Sequence, residues 1–341
     1  MSEEIAPQNL RLTKLEANKI KIVFSDIPYK PYGDQSYIKQ LRILAYKHFP
    51  DRLLTTLEDL KGNSSSYCIF DNLPIDDVFG SPTGDVDSIN FKNGYLSENI
   101  ILAFASIVAE PYSIHFEGKK IVNDLTPHPE STNEYTGLGS KVELDFHIEN
   151  AAQVYDSRGD TSPLALFLLG LRSDPDVIGP KTYVADSREA LKRMTAADIK
   201  LLSEKKFIIR QPYRWRSHDS ENRDTVLHSV LSGPMDQPRV TIAFYPDMVI
   251  PVSKEAKTAY DNFYEHLYDV AIGVDIQPGR LVFVNNRFTL HSREKFTPTF
   301  DKDGMPYRWV QRVFVTDSLW SFRSFHKQGE RIFDPGFSTV K

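Results

Sequence analysis

Cysteine is almost missing from this chain: Cys68 is the one thiol in 341 residues. That excludes an intramolecular disulfide and any zinc site built on paired thiolates. Cys68 sits in the apolar run Tyr67-Cys68-Ile69-Phe70, where a buried structural thiol is expected rather than a nucleophile. Basic excess is missing too. Against 41 Lys and Arg stand 46 Asp and Glu, a formal net charge of −5, so no global positive field draws the chain to nucleic acid or to an anionic membrane. No apolar stretch approaches the roughly 20 residues that span a bilayer. The opening Met1-Ser2-Glu3-Glu4-Ile5-Ala6-Pro7 lacks the basic and apolar segments of a signal peptide. A cytoplasmic protein with a small-molecule partner is expected; the sequence does not speak to oligomeric state. No internal repeat with a period of about 20 to 50 residues is visible, and no Gly-rich phosphate turn follows a strand, which weighs against parallel βαβ winding.

What is present suffices for a large core: 40% of residues are hydrophobic and 12% aromatic, and a chain of this length buries roughly three quarters of its unfolded surface. Apolar residues recur at helical spacing over residues 35–48, 97–109 and 253–270, with a shorter pair at 187–194 and 195–205. Strand patterns occupy 142–148, 164–171, 207–211, 240–244, 281–285 and 309–316, most of them bounded by turn residues such as Pro278-Gly279. Strands crowded into the second half with helices before and between them predict a mainly β fold with α, a double-stranded β-helix (jelly roll) core buttressed by helices. We expect one unit over 1–341: a helical or mixed part at 1–110, the core with helical insertions at 111–320, and a tail at 321–341. A Pro- and Gly-containing loop at 123–139 is long enough to cover a site.

The chemistry concentrates in Val142-Glu143-Leu144-Asp145-Phe146-His147-Ile148-Glu149-Asn150-Ala151. Strand alternation puts Asp145, His147 and Glu149 on one face and Leu144, Phe146 and Ile148 on the other. An imidazole and a carboxylate about 7 Å apart along the backbone are the first half of a 2-His-1-carboxylate iron site; taken alone, the same triplet also fits a polar face in solvent. Among the other histidines, His291 alone follows a buried-looking strand and precedes a second one. Further on, Arg308, Val310 and Arg312 share a strand face while Trp309 and Val313 point away. Two arginines there are costly unless each meets an anion. Roughly 13 Å apart, they suit two carboxylates better than one, although snorkelling or pairing with acidic neighbours also fits.

His147-Ile148-Glu149-Asn150-Ala151, the late His291 and Arg308-Trp309 followed by Arg312 resemble the clavaminate synthase-like Fe(II)/2-oxoglutarate dioxygenases, especially the hydroxylases of free basic amino acids. The resemblance runs from about Tyr67 to Val315 and includes Asn123-Asp124-Leu125-Thr126-Pro127, Leu169-Gly170-Leu171-Arg172 and Lys181-Thr182-Tyr183. It implies His147, Glu149 and His291 as Fe(II) ligands, with 2-oxoglutarate and O2 as cosubstrates. Arg308, assisted by Thr182, would hold the far carboxylate of 2-oxoglutarate. Arg312 would hold the α-carboxylate of the amino acid, and Asn123 with Glu149 its amino end. Relatives acting on basic amino acids carry acidic residues in the stretch matching Phe244-Tyr245-Pro246-Asp247-Met248. Asp247 beside Tyr245 therefore implies L-lysine ahead of L-arginine as the substrate hydroxylated, with Asp247 as a mere turn residue the competing reading. Desaturation, a carrier-tethered residue, or an inactive amino-acid-binding module are the alternatives.

Overall fold

The computed structural model describes residues 8–62, 64–77, 92, 94–128, 131–133, 135, 138–212, 226–302 and 306–335. Its larger sheet runs in the order Gln8–Arg11, Tyr67–Asp71, Leu281–Asn285, Ala165–Arg172, Trp309–Thr316, Glu110–Ile114, Ile332–Asp334, His326–Lys327. A further strand, Asn123–Leu125, pairs with Trp309–Thr316 beside that path. The smaller sheet has four strands in the order Ile272–Val274, Thr182–Asp186, Thr289–Arg293, Leu144–His147.

The central strands of the larger sheet are buried on both faces, which is why they read as near-continuous apolar runs. Leu281, Phe283, Phe167, Leu169, Trp309 and Val313 pack into a core with the helices Lys14–Phe24, Gln35–His48, Asp51–Lys61 and Leu96–Val108. The alternate residues Val282, Val284, Leu166, Leu168, Val310 and Phe314 face the other way, where they meet Val184 and Val274 of the smaller sheet. Helix Leu96–Val108 is buried along its whole length, so its few polar side chains need partners. Glu98 pairs with Lys92 at 2.7 Å, and Asn99 donates to the carbonyls of Phe24 and Ile27. On the outer side of the smaller sheet, Phe146, Ala185 and Leu290 pack against Ala259 and Phe263 of helix Lys254–Val270.

The architecture is mixed α/β with two large packed sheets, compatible with the jelly-roll expectation but more helical than "mainly β" suggests. Helix Gln35–His48 and the strands Leu281–Asn285 and Trp309–Thr316 fall where the periodicity placed them. Helices Lys14–Phe24 and Asp51–Lys61 and the strand Thr182–Asp186 were not expected. The 240–244 pattern yields only the short strand Arg239–Val240 and an isolated bridge from Ala243 to His147. Residues 123–125 of the anticipated loop form a strand. Cys68 is fully buried, and burial pushes its thiol up to about 12, as expected of a structural cysteine. Among the described residues no helix is long and apolar enough to cross a membrane.

Candidate active site

Between the sheets lies a cavity of about 490 Å³ whose lining includes His147, Glu149, Thr182, His291, Arg308 and Arg312. His147 and His291 are directly opposite one another on neighbouring strands, with ring centroids 4.1 Å apart. One ligand atom each from His147, Glu149 and His291 fits within a sphere of mutual distances no greater than 4.8 Å.

Local irregularity builds this triad. From His291 to Arg293 the partner strand advances from His147 to Leu144, three residues against two, so a β-bulge inserts one residue and re-aims the side chains. The bulge corrects the alternation read from sequence: Leu144 lines the cavity together with His147, and Asp145 is instead engaged by Tyr264. Glu149 lies beyond the strand end, in a turn completed by Asn150 with φ +54°. Asn286 fixes that turn. The Glu149 N–H donates to Asn286 Oδ1 at 2.7 Å, and Asn286 Nδ2 donates to the carbonyls of Glu149 at 3.1 Å and Pro163 at 3.0 Å.

The donor set fits a divalent iron ion. His147 Nδ1 donates to the Asp145 carbonyl at 2.8 Å, which fixes the tautomer and leaves Nε2 as the atom that could hold a metal. Burial, together with the neighbouring His291, pushes His147 down to about 3, so the imidazole is neutral as a ligand must be. Burial opposes the charge on Glu149, but Arg312 and the two histidines outweigh it and hold the carboxylate well below the usual range. Two imidazoles and one carboxylate on one side of an ion are the facial arrangement of non-haem Fe(II) oxygenases.

Arg312 is shared. Its Nη1 donates to Glu149 Oε1 at 2.8 Å, its Nη2 to Glu117 Oε2 at 2.8 Å and, at 3.4 Å, to Asn123 Oδ1. Glu117, which also lines the cavity, was not singled out from the sequence. It follows the strand Glu110–Ile114 in a turn, and its partner is 195 residues away, so no local spacing marks it. Asn123 is buried, donates to Ser113 Oγ and the Lys120 carbonyl, and stands behind Arg312 rather than on the cavity wall. Arg308 and Arg293 both face the cavity. Burial and the charge of Arg293 lower Arg308 to about 9, and burial lowers Arg293 to about 10; both remain guanidinium ions near neutral pH.

Tyr245 lines the cavity, half-buried against the His147 ring with centroids 4.8 Å apart and stacked with Tyr135. Asp247 does not. It takes a left-handed turn conformation, φ +63°, pairs with Arg210, and is absent from the cavity lining. A Pro246-Asp247 turn reverses the direction that a continued strand would have given this side chain, which corrects the placement expected from sequence.

A His-Glu-His triad between two packed sheets, with arginines along one adjoining strand, defines a non-haem iron dioxygenase. Residues 97–314 match the model of the taurine catabolism dioxygenase TauD, TfdA family, and the chain belongs to that family, whose chemistry uses Fe(II), 2-oxoglutarate and O2. It is 29% identical over 251 residues to an L-asparagine oxygenase of Streptomyces coelicolor, covering 72% of this chain and 70% of that one. It is 29% identical over 198 residues to an L-lysine 3-hydroxylase of Catenulispora acidiphila, 56% of this chain and 51% of that one. The fold superimposes with a TM-score of 0.80 on the non-heme iron oxygenase OrfP in complex with Fe and alpha-ketoglutaric acid, at 22% identity over 96% of this chain and 100% of the other.

Proposed function

We propose that this dioxygenase hydroxylates the side chain of a free L-amino acid, coupling the reaction to conversion of 2-oxoglutarate into succinate and CO2. The observation that carries the reading is Arg312, buried on the strand floor between Glu117 and Glu149 and beside the triad. A guanidinium flanked by two carboxylates matches the carboxylate and ammonium of a zwitterion. In this reading Arg312 receives the α-carboxylate, Glu117 and Glu149 face the amine, and Asn123 orients Arg312. His147, Glu149 and His291 hold the iron, which when bound supplies the oxygen-activating chemistry. Arg308 and the Thr182 hydroxyl take the far carboxylate of 2-oxoglutarate.

We place the side-chain end among Tyr135, Tyr245, Asn133, Met248 and Pro212 and read it as accepting an uncharged group. Both lining carboxylates among the described residues already serve Arg312, whereas three guanidinium groups face the cavity. A cationic side chain would bring a buried charge with no lining carboxylate left among the described residues to meet it. With Asp247 held by Arg210, lysine rests on the similarity to the lysine 3-hydroxylase alone. The test is a panel of free amino acids incubated with Fe(II), 2-oxoglutarate and air, scored for succinate and for one added oxygen. Coupled turnover of an uncharged amino acid is expected. Preference for lysine would restore the basic-substrate reading, and turnover only on a carrier-tethered residue would overturn the free-substrate one.

A further inference from the structure

Arg293 is two residues beyond His291 on the same strand, so both side chains point into the cavity. On the neighbouring strand its register partner is Thr182, and residues directly opposite in a sheet share a face. The Arg293 and Arg308 guanidinium carbons lie 5.2 Å and 5.5 Å from the centre of one ring, that of Phe296. Three cavity-lining groups, two cations and a hydroxyl, therefore gather at one end.

Arg293 is only 4% exposed, and its Nε and Nη1 have no hydrogen-bond partner. Its Nη2 makes one long contact, 3.4 Å, to the Val142 carbonyl. No carboxylate among the described residues pairs with Arg293 or Arg308, in contrast to Arg312 on the strand that begins just after Arg308, which holds two. Buried donors without acceptors and neighbouring cations without an anion are each unfavourable. A carboxylate entering this end removes both penalties. Glu117 and Glu149 do not meet that need, because both are already engaged by Arg312.

We propose that Arg293 is a second guanidinium for the far carboxylate of 2-oxoglutarate, donating to it from the Thr182 side while Arg308 donates from the adjoining sheet. The inference rests on the reading of Arg308 and Thr182 given above and deepens it: selection of a 2-oxo diacid over a 2-oxo monoacid is divided between two arginines. Arg293 acts on the cosubstrate tail, away from the triad.

Calorimetric titration of the Fe(II)-loaded protein under nitrogen tests this with two probes, 2-oxoglutarate and 2-oxopentanoate, which has the same chain without the far carboxylate. Arg293→Leu is expected to weaken 2-oxoglutarate binding about 10- to 100-fold, the scale of a lost charge-assisted pair, while 2-oxopentanoate binds as well as or better than to the unaltered protein. Arg293→Lys, which keeps the charge but not the fork, should fall between and guards against misfolding of the leucine variant. Equal weakening of both acids would make Arg293 a structural prop and overturn the inference, as would loss of amino-acid affinity alone. If Arg308→Leu loses 2-oxoglutarate and Arg293→Leu does not, the inference fails and the reading of Arg308 stands; if neither variant loses it, both fail.

Discussion

Asn286 holds the backbone of Glu149 from both sides, accepting from its N–H and donating to its carbonyl. The asparagine is fully buried and lies 137 residues from its partner in the chain. A side-chain amide thus takes the place of a strand neighbour at the point where the chain leaves the sheet. Asn286→Ala should lower iron affinity about 10- to 100-fold, the effect of removing a group that orients a ligand. It should also destabilise the fold by about 1–3 kcal/mol through unsatisfied buried backbone groups. Iron titration and urea unfolding measure the two; unchanged affinity would show that the turn holds itself.

Acidification should weaken the metal-free protein through His147. Its folded value of about 3 lies below the ordinary 6.5, so between those pH values the unfolded chain binds a proton that the folded chain refuses. Stability is therefore fully present above about 6.5 and is lost as pH falls, with a slope of up to about 1.4 kcal/mol per pH unit from this group. Glu149, held low, adds its own loss below the usual carboxylate range. Urea midpoints at pH 7, 6 and 5 should fall less steeply in His147→Gln. Parallel slopes in the two proteins would show that His147 titrates as an exposed imidazole does.

Glu117→Gln keeps the shape of the side chain but removes one of the two charges on Arg312. The expected outcome is a rise of about 10- to 100-fold in KM for the amino acid with iron content unchanged. An unaltered KM would remove Glu117 from the substrate site.

Gly170 sits within the strand Ala165–Arg172, and a Cβ there would fall 2.2 Å from the Gln277 carbonyl oxygen. Because backbone rather than a flexible side chain blocks it, Gly170→Ala should cost about 1–3 kcal/mol, read from denaturant unfolding. Wild-type stability would mean that the segment at Gln277 yields.

The sequence made the strongest elements of this site legible and hid the rest for identifiable reasons. His147 and Glu149 stand two apart, and His291 and Arg312 sit on or beside strands whose apolar runs announce themselves. Yet the alternation that pointed to the triplet is not how the triad forms: a bulge opposite Ser292 and a turn beyond the strand bring Glu149 round. Asn286 and Glu117 act through partners more than a hundred residues away, which no local pattern records. Asp247 failed in the opposite way. The resemblance placed it at the far end of the substrate, but the chain turns at Pro246-Asp247 and the carboxylate pairs with Arg210 outside the cavity lining. The helix Lys14–Phe24 was missed although a capping box at Thr13 and Glu16 marks its start, because its apolar stripe is narrow.

The two sheets and their connections also divide the molecule's capacity for change. His147, His291, Thr182, Arg293, Arg308 and Arg312 lie on or next to paired strands, where one altered residue disturbs a neighbour's register. Tyr135, Pro212, Tyr245 and Met248 lie outside the strands, where substitution or a change of loop length leaves that register alone. On the proposed reading of the side-chain end, such a plan would let one amino-acid substrate be exchanged for another by changing these four connecting positions, with the strands that carry the triad left as they are.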